Sequence, residues 1–318
     1  MTMHETNNRP KAGGLMSSPP FYADRQGRLI RLILSCFRCV PIRLRTRIFV
    51  SLFLAFYHLS PRRRLIAIHN LKRAFPEKSM AEIVLIAKGA YRNMAIVAAE
   101  FFDIPWLTKD RVRESVEVEG LEHCVEALKK KRGLLMIASH FGNWELQAIA
   151  FSLLFQPLLF LYRPLDNLFL DRLVTSVRSS TGNRPLAKEK AMRQMLRTIK
   201  ANGIVGLLID QNWSLQEGVF VDFFGRPACT SDGLARLALH TAAPVIPAFM
   251  VRQESGKYRL VIREAVELVN TGEQEKDVMI NTQNFTRIIE EMIRKYPDQW
   301  FWVHQRWKTQ SPHRTEKA

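Results

Sequence analysis

Through residues 76–308, short uninterrupted apolar runs alternate with longer stretches of helical periodicity. Gly133-Leu134-Leu135-Met136-Ile137-Ala138, Leu158-Leu159-Phe160-Leu161-Tyr162 and Ile204-Val205-Gly206-Leu207-Leu208-Ile209 have the length and composition of buried strands. Ala243–Val251 and Tyr258–Ile262, with a turn at Ser255-Gly256, predict two more, and Ser115–Val118 a short one. Between them the pattern predicts helices over 79–103, 121–132, 188–201, 233–242 (capped by Ser231-Asp232) and 277–295. Further helices follow Asn143 and Pro164, the second running to about Ser179 and closed by Gly182-Asn183. Such alternation predicts an α/β fold: a mixed, mainly parallel central sheet flanked by helices.

The N-terminal part has a different pattern. Residues 1–24 and 309–318 read as tails, the first for its Asn-Arg-Pro, Gly-Gly and Ser-Ser-Pro-Pro punctuation and its lack of a signal-peptide core. Within 25–75, two apolar stretches, Leu29–Val40 and Ile48–Leu59, are interrupted or flanked by Arg31, Arg38, Arg43, Arg45, Arg47 and Arg62-Arg63-Arg64. The second is shorter than the ~20 residues a comfortable bilayer span needs. Its arginines fit an amphipathic, membrane-associated helical segment lying in an anionic interface. A short tilted span and a helical hairpin covering the core are the alternatives.

Charge strengthens this division. The net charge is +17 over 318 residues, which implies an anionic partner. Residues 1–75 carry 14 Lys and Arg against 2 Asp and Glu, so the excess is concentrated there, while the rest of the chain holds 33 against 28. These cations are interleaved with aliphatic residues rather than with exposed aromatics for base stacking, which favours lipid over nucleic acid. Lys129-Lys130-Lys131-Arg132-Gly133 is accounted for by a helix dipole and cap, with docking of an acidic protein an additional reading. Four cysteines are too few for a disulfide framework, and the single Cys36-x-x-Cys39 has no second pair to complete a zinc site.

The candidate chemistry begins where strands end. Ser139-His140-Phe141-Gly142-Asn143-Trp144-Glu145 follows an apolar strand, with Asn143 as helix N-cap. His140 thus falls in a strand-to-helix loop and Glu145 in the first helical turn, an arrangement in which the two side chains converge. A carboxylate holding one imidazole nitrogen as N–H leaves the other free to accept a proton from a hydroxyl. A core histidine bonded to a helix-capping glutamate is the alternative reading of the same residues. Arg163 and Asp210-Gln211 also follow apolar strands, and in a parallel sheet these loops share one edge. The chain has no G-x-S-x-G elbow, H-E-x-x-H, P-loop or G-x-G-x-x-G, so direct transfer to a substrate hydroxyl fits better than a protein nucleophile. A non-catalytic binding protein using the basic N-terminus is the reading from a different class.

The ordered set of motifs resembles a known family. His140-x-x-x-x-Glu145 is similar to the H-x4-D/E motif of glycerolipid acyltransferases. Tyr162-Arg163-Pro164, Arg178-x-x-x-Gly182, Asp210-Gln211, Phe223-Phe224-Gly225, Ala243-Pro244-Val245-Ile246-Pro247 and Trp302-x-His304-x-Arg306-Trp307-Lys308 extend the resemblance. Together they resemble the late acyltransferases of lipid A biosynthesis, the lauroyl and myristoyl transferases. This resemblance implies transfer of a fatty acyl chain from acyl carrier protein to a hydroxyl of a Kdo2-lipid IVA type precursor. It places the enzyme at the bacterial inner membrane with its catalytic domain on the cytoplasmic side. It implies His140 as base and Glu145 as its orienting partner, with Arg163, Arg178, Asp210, Gln211 and Arg306 binding substrate or supporting the transition state. The implied partners are acyl carrier protein, an anionic glycolipid acceptor and the membrane, without nucleic acid. No metal or organic cofactor is implied, because a thioester is already activated. Acylation of another glycolipid, such as a phosphatidylinositol mannoside, is the alternative within the same chemistry.

Overall fold

Residues 24–188 and 191–310 are described by a computed structural model; most of each tail lies outside them. Four helices come first: α1 (Arg25–Cys39), α2 (Ile42–Leu59), α3 (Pro61–Ala74) and α4 (Met80–Phe101). The last starts on a full capping box, in which Ser79 Oγ accepts from the Glu82 N–H and Glu82 accepts from the Ser79 N–H. Helix α5 (Lys109–Ser115) leads into β1 (Val116–Glu119), and α6 (Leu121–Lys129) into β2 (Leu134–Ala138). Helix α6 stops at Lys129, short of the expected Arg132, and the chain turns through Lys131 at φ 54° and Gly133 at φ 66°.

Next come α7 (Trp144–Leu154), β3 (Leu158–Tyr162), α8 (Leu168–Ser179), β4 (Arg184–Ala187), α9 (Ala191–Lys200) and β5 (Ile204–Leu208). The chain continues with β6 (Gly218–Asp222), β7 (Pro227–Ser231), α10 (Gly233–Thr241), β8 (Val245–Arg252), β9 (Tyr258–Ile262) and α11 (Gln274–Lys295). The central sheet has the order β1-β9-β8-β2-β5-β3-β4. Strands β8, β2, β5, β3 and β4 are mutually parallel, β9 is antiparallel to β8, and β1 is parallel to β9. This is the mixed, mainly parallel sheet that the alternation predicts. Strands β2 and β5 are buried at almost every residue because helices cover both faces.

Three strands, β4, β6 and β7, escape the sequence pattern. Strand β4 is four residues at the sheet edge and contains Pro185, whose missing N–H an edge tolerates. Strand β7 pairs only with β6, in a separate antiparallel hairpin.

The basic N-terminal segment packs one face and exposes the other. Ile30 and Leu34 of α1 are buried with Ile149, Leu173 and Val177 of α7 and α8. Arg45, expected among the membrane-facing arginines, is instead 2% exposed, pairing with Asp103 and donating to the Phe37 carbonyl at 2.7 Å. No described helix is long and apolar enough to cross a membrane.

Candidate active site

Strand register places the site. Ala138 of β2 lies opposite Leu208 of β5 in the parallel ladder, so His140 and Asp210 each stand two residues beyond that pair, at the same sheet edge. There Asp210, 2% exposed at its side chain, accepts the His140 backbone N–H at 2.8 Å through Oδ2. Its Oδ1 lies 2.9 Å from His140 Nδ1, and the Trp300 indole donates to Oδ2 at 2.8 Å. Burial on its own raises this carboxyl, but the His140 ring, the His140 N–H and the Trp300 indole outweigh it and hold Asp210 below the usual carboxylate range. An ionised carboxylate only accepts, so Nδ1 is the protonated nitrogen and Nε2 carries the lone pair.

Glu145 is not the partner of that imidazole. Its carboxylate is gripped bidentately by Arg178, Nε to Oε2 at 2.9 Å and Nη2 to Oε1 at 2.5 Å, and accepts the Trp144 indole at 3.2 Å. The expected His140–Glu145 dyad is therefore corrected to His140–Asp210, with Glu145–Arg178 as a separate ion pair. The cause is local geometry: Glu145 sits in the first turn of α7, which packs on α8, whereas Asp210 leaves the strand beside His140. Burial opposes the Arg178 charge, but the Glu145 carboxylate more than restores it and the guanidinium is held above its ordinary range.

The loop carrying His140 is braced from below. Gly142 adopts φ +57°, and a Cβ there would fall 1.6 Å from the Met250 carbonyl oxygen. Its N–H donates to the Gln299 carbonyl at 2.8 Å, and its own carbonyl accepts from Asn93 at 2.9 Å. Asn143 caps α7 through the Leu146 N–H at 2.9 Å while its amide donates to Glu100 at 2.7 Å. Burial raises the Glu100 carboxyl above its ordinary range, against the hydrogen bonds from Tyr258 and Asn143.

The remaining expected residues divide. Gln211 meets the site: its Nε2 lies 3.3 Å from His140 Nε2. Arg163 is exposed at the end of β3 and makes no hydrogen bond or ion pair to the others among the described residues. Arg306, expected to face substrate, is 1% exposed and donates to the carbonyls of Cys229 at 2.7 Å and Gln211 at 3.3 Å, and to Thr230 Oγ1. Burial pushes it down to about 10. It holds the backbone under Gln211 and has no face for a ligand.

Several working residues went unassigned in the sequence. The segment 299–309 straps the site: Phe301 N–H donates to the His140 carbonyl at 3.1 Å, and Trp300 binds Asp210. His304 Nε2 accepts the Asn212 N–H at 2.9 Å, and Thr309, expected in a tail, accepts from the Asn212 amide at 3.0 Å. Burial lowers His304 to about 4, leaving it neutral, as that acceptor role requires. The rings of Trp144 and Phe301 stand 5.6 and 5.9 Å from the His140 ring and limit its side-chain exposure to 24%. Tryptophan clustering was the available signal, but composition does not tell a packed indole from one whose N–H holds a carboxylate.

The arrangement is a buried carboxylate orienting an imidazole, an amide beside the free ring nitrogen, and a guanidinium–carboxylate pair linked to the imidazole through Trp144, whose ring stands against His140 and whose indole donates to Glu145. That constellation suits proton abstraction from a hydroxyl. A family model described as "Bacterial lipid A biosynthesis acyltransferase" matches residues 27–309. A lipid A biosynthesis acyltransferase of Haemophilus influenzae is 27% identical over 273 residues, covering 85% of this chain and 83% of the relative. The lipid A biosynthesis palmitoleoyltransferase of Escherichia coli is 29% identical over 251 residues, 78% and 79% of the two chains. The lauroyltransferase of the same organism is 29% identical over 253 residues, 78% and 80%. A dyad suited to activating a hydroxyl, on a chain matched almost end to end, belongs to a member of the bacterial lipid A biosynthesis acyltransferase family.

Proposed function

We propose that this protein transfers a fatty acyl chain from acyl carrier protein to the hydroxyl of a 3-hydroxyacyl group on a Kdo2-lipid IVA type acceptor. The observation that carries the reading is the His140 ring, fixed through Nδ1 by Asp210 with Nε2 turned to a partly exposed site. Nε2 takes the hydroxyl proton as the oxygen attacks the thioester carbonyl. The tetrahedral intermediate then collapses, the C–S bond breaks, and the imidazolium returns the proton to the departing thiolate. The products are an ester and a free carrier thiol, so no cofactor enters the balance. Asp210 stabilises the imidazolium, and the Glu145–Arg178 pair holds a cation beside the site for an anionic group of either substrate.

Charge supports the partners. An acidic carrier and a phosphorylated lipid both favour a chain of net charge +17, and the basic excess near the N-terminus suits the cytoplasmic face of an inner membrane. The test is transfer in detergent, using a panel of acyl carrier protein thioesters and lipid IVA with or without Kdo, read by mass spectrometry. One added acyl chain per acceptor is expected. No transfer to either acceptor, with transfer to a phosphatidylinositol mannoside, would overturn the substrate assignment.

A further inference from the structure

The exposed large apolar residues are concentrated. On α2, Leu44, Ile48, Leu52 and Phe56 recur every four residues, each 45–60% exposed. They form one stripe along a helix whose other face packs inward. Arg43 and Arg47 are exposed beside it. A second group lies far away in sequence, at the β3–α8 junction, where Leu165 of the loop and Leu168 and Leu170 of the first turn of α8 are 43%, 83% and 49% exposed.

That second group is held out rigidly. Asp171 accepts the Leu165 N–H at 2.9 Å, and Asn167 accepts the N–H groups of Phe169 and Leu170, both at 3.0 Å. With these three N–H groups satisfied, the junction keeps Leu168 in solvent instead of folding it onto the core. The two groups are joined by α1. Arg172, one turn beyond Leu168, pairs with Asp24 at 2.6 Å and donates to Gln26 at 2.9 Å. Exposed Leu29 and Leu32 follow on α1 within two turns of that junction. The loop also leaves the carboxyl end of β3, the sheet edge that carries His140 and Asp210.

We infer that the outer faces of α1 and α2 and the β3–α8 junction form one membrane-docking surface, the start of α8 inserting Leu168 into an anionic bilayer beside the active-site edge. The inference rests on the proposed membrane-bound acyl transfer and adds a contact outside the N-terminal segment. An anionic lipid surface is the occupant because the leucines are flanked by cations: Arg31, Arg43 and Arg47 on the helices and Arg163 at the loop. An apolar stripe with arginines along its border has the charge pattern of an interfacial helix. Because the loop lies at the reacting edge, docking there presents His140 to a lipid acceptor still embedded in the bilayer.

The test uses the full chain and co-sedimentation with phosphatidylcholine vesicles, with and without phosphatidylglycerol. Leu168→Asp is suitable because the position is the first of α8, where an acidic side chain favours the helix. It is expected to lower partitioning onto the mixed vesicles by about tenfold, as withdrawing one leucine from an apolar environment implies. Leu52→Asp is expected to do the same, with transfer to detergent-dispersed acceptor unchanged in both. Unchanged binding by Leu168→Asp, with loss in Leu52→Asp, would remove the junction from the surface. Unchanged binding in both would overturn the inference, and a wild-type dimer that either variant dissociates would assign these leucines to a second copy of the chain. Absence of transfer by the wild type in detergent, with vesicle binding intact, would count against the acyl-transfer reading alone.

Discussion

Exchange of one carboxylate for an amide separates the two acids near His140. Asp210 accepts from three donors, the His140 N–H, the His140 ring and the Trp300 indole. In Asp210→Asn one oxygen becomes an NH2 group, so one former donor faces another donor. If that donor is the ring, Nδ1 must become the acceptor, the proton moves to Nε2, and the nitrogen that should abstract a proton is already protonated. Loss of a charge-assisted bond to the imidazolium costs about 1.5–3 kcal/mol, or about 10–100-fold in rate at 1.36 kcal/mol per tenfold. The wrong tautomer adds to this, so a fall in kcat of about 10²–10⁴ is expected, the range for loss of general-base catalysis. Glu145→Gln leaves the dyad intact and weakens the grip on Arg178. Its effect is expected to be smaller, roughly tenfold, and mainly in KM, since a neutral amide still accepts one guanidinium bond. Steady-state kinetics of both variants with thioester donor in detergent, with thermal melts to confirm folding, provide the comparison. A near-normal kcat for Asp210→Asn beside a collapsed kcat for Glu145→Gln would refute the assignment of Asp210 as the orienting carboxylate.

Other outcomes follow from the same geometry. Gly142→Ala is expected to destabilise the fold by more than the roughly 1–3 kcal/mol of a strained backbone, because its Cβ would meet the Met250 carbonyl at 1.6 Å; a melting temperature within a degree of wild type would contradict the +57° loop. Trp300→Phe keeps an aromatic ring but removes the donor to Asp210 and some buried volume, and should cost at least the roughly 1–3 kcal/mol of one unmet buried acceptor by chemical denaturation. His304 titrates at about 4 when folded against 6.5 when free, so the unfolded chain takes its proton first. Its contribution is complete above pH 6.5 and is lost as pH falls toward 4, by up to roughly 3 kcal/mol. Denaturation across that window should show the slope in wild type and a reduced one in His304→Gln; equal slopes would place the cause elsewhere.

The sequence by itself determined the strands β1, β2, β3, β5, β8 and β9, the order of the helices around them and the edge at which the chemistry gathers. Each of these follows from local pattern: an apolar run of strand length ends, and a polar residue emerges in the loop. His140, Asp210 and Gln211 were legible for that reason, as was the apolar and basic character of residues 25–75. Pairing was not legible, because it depends on which elements become neighbours. Glu145 is five residues from His140 and Asp210 is seventy away, yet the register of β2 against β5 brings the distant carboxylate to the imidazole. The nearer one is turned to Arg178 of α8. Arg306 read as a ligand-facing cation, while tertiary packing buries it beneath Gln211. Trp300 carried no assignment in the sequence, while in the fold its indole reaches Asp210. In each case one side chain's chemistry is fixed by its type, but its partner is chosen by the packing of segments far apart in the chain.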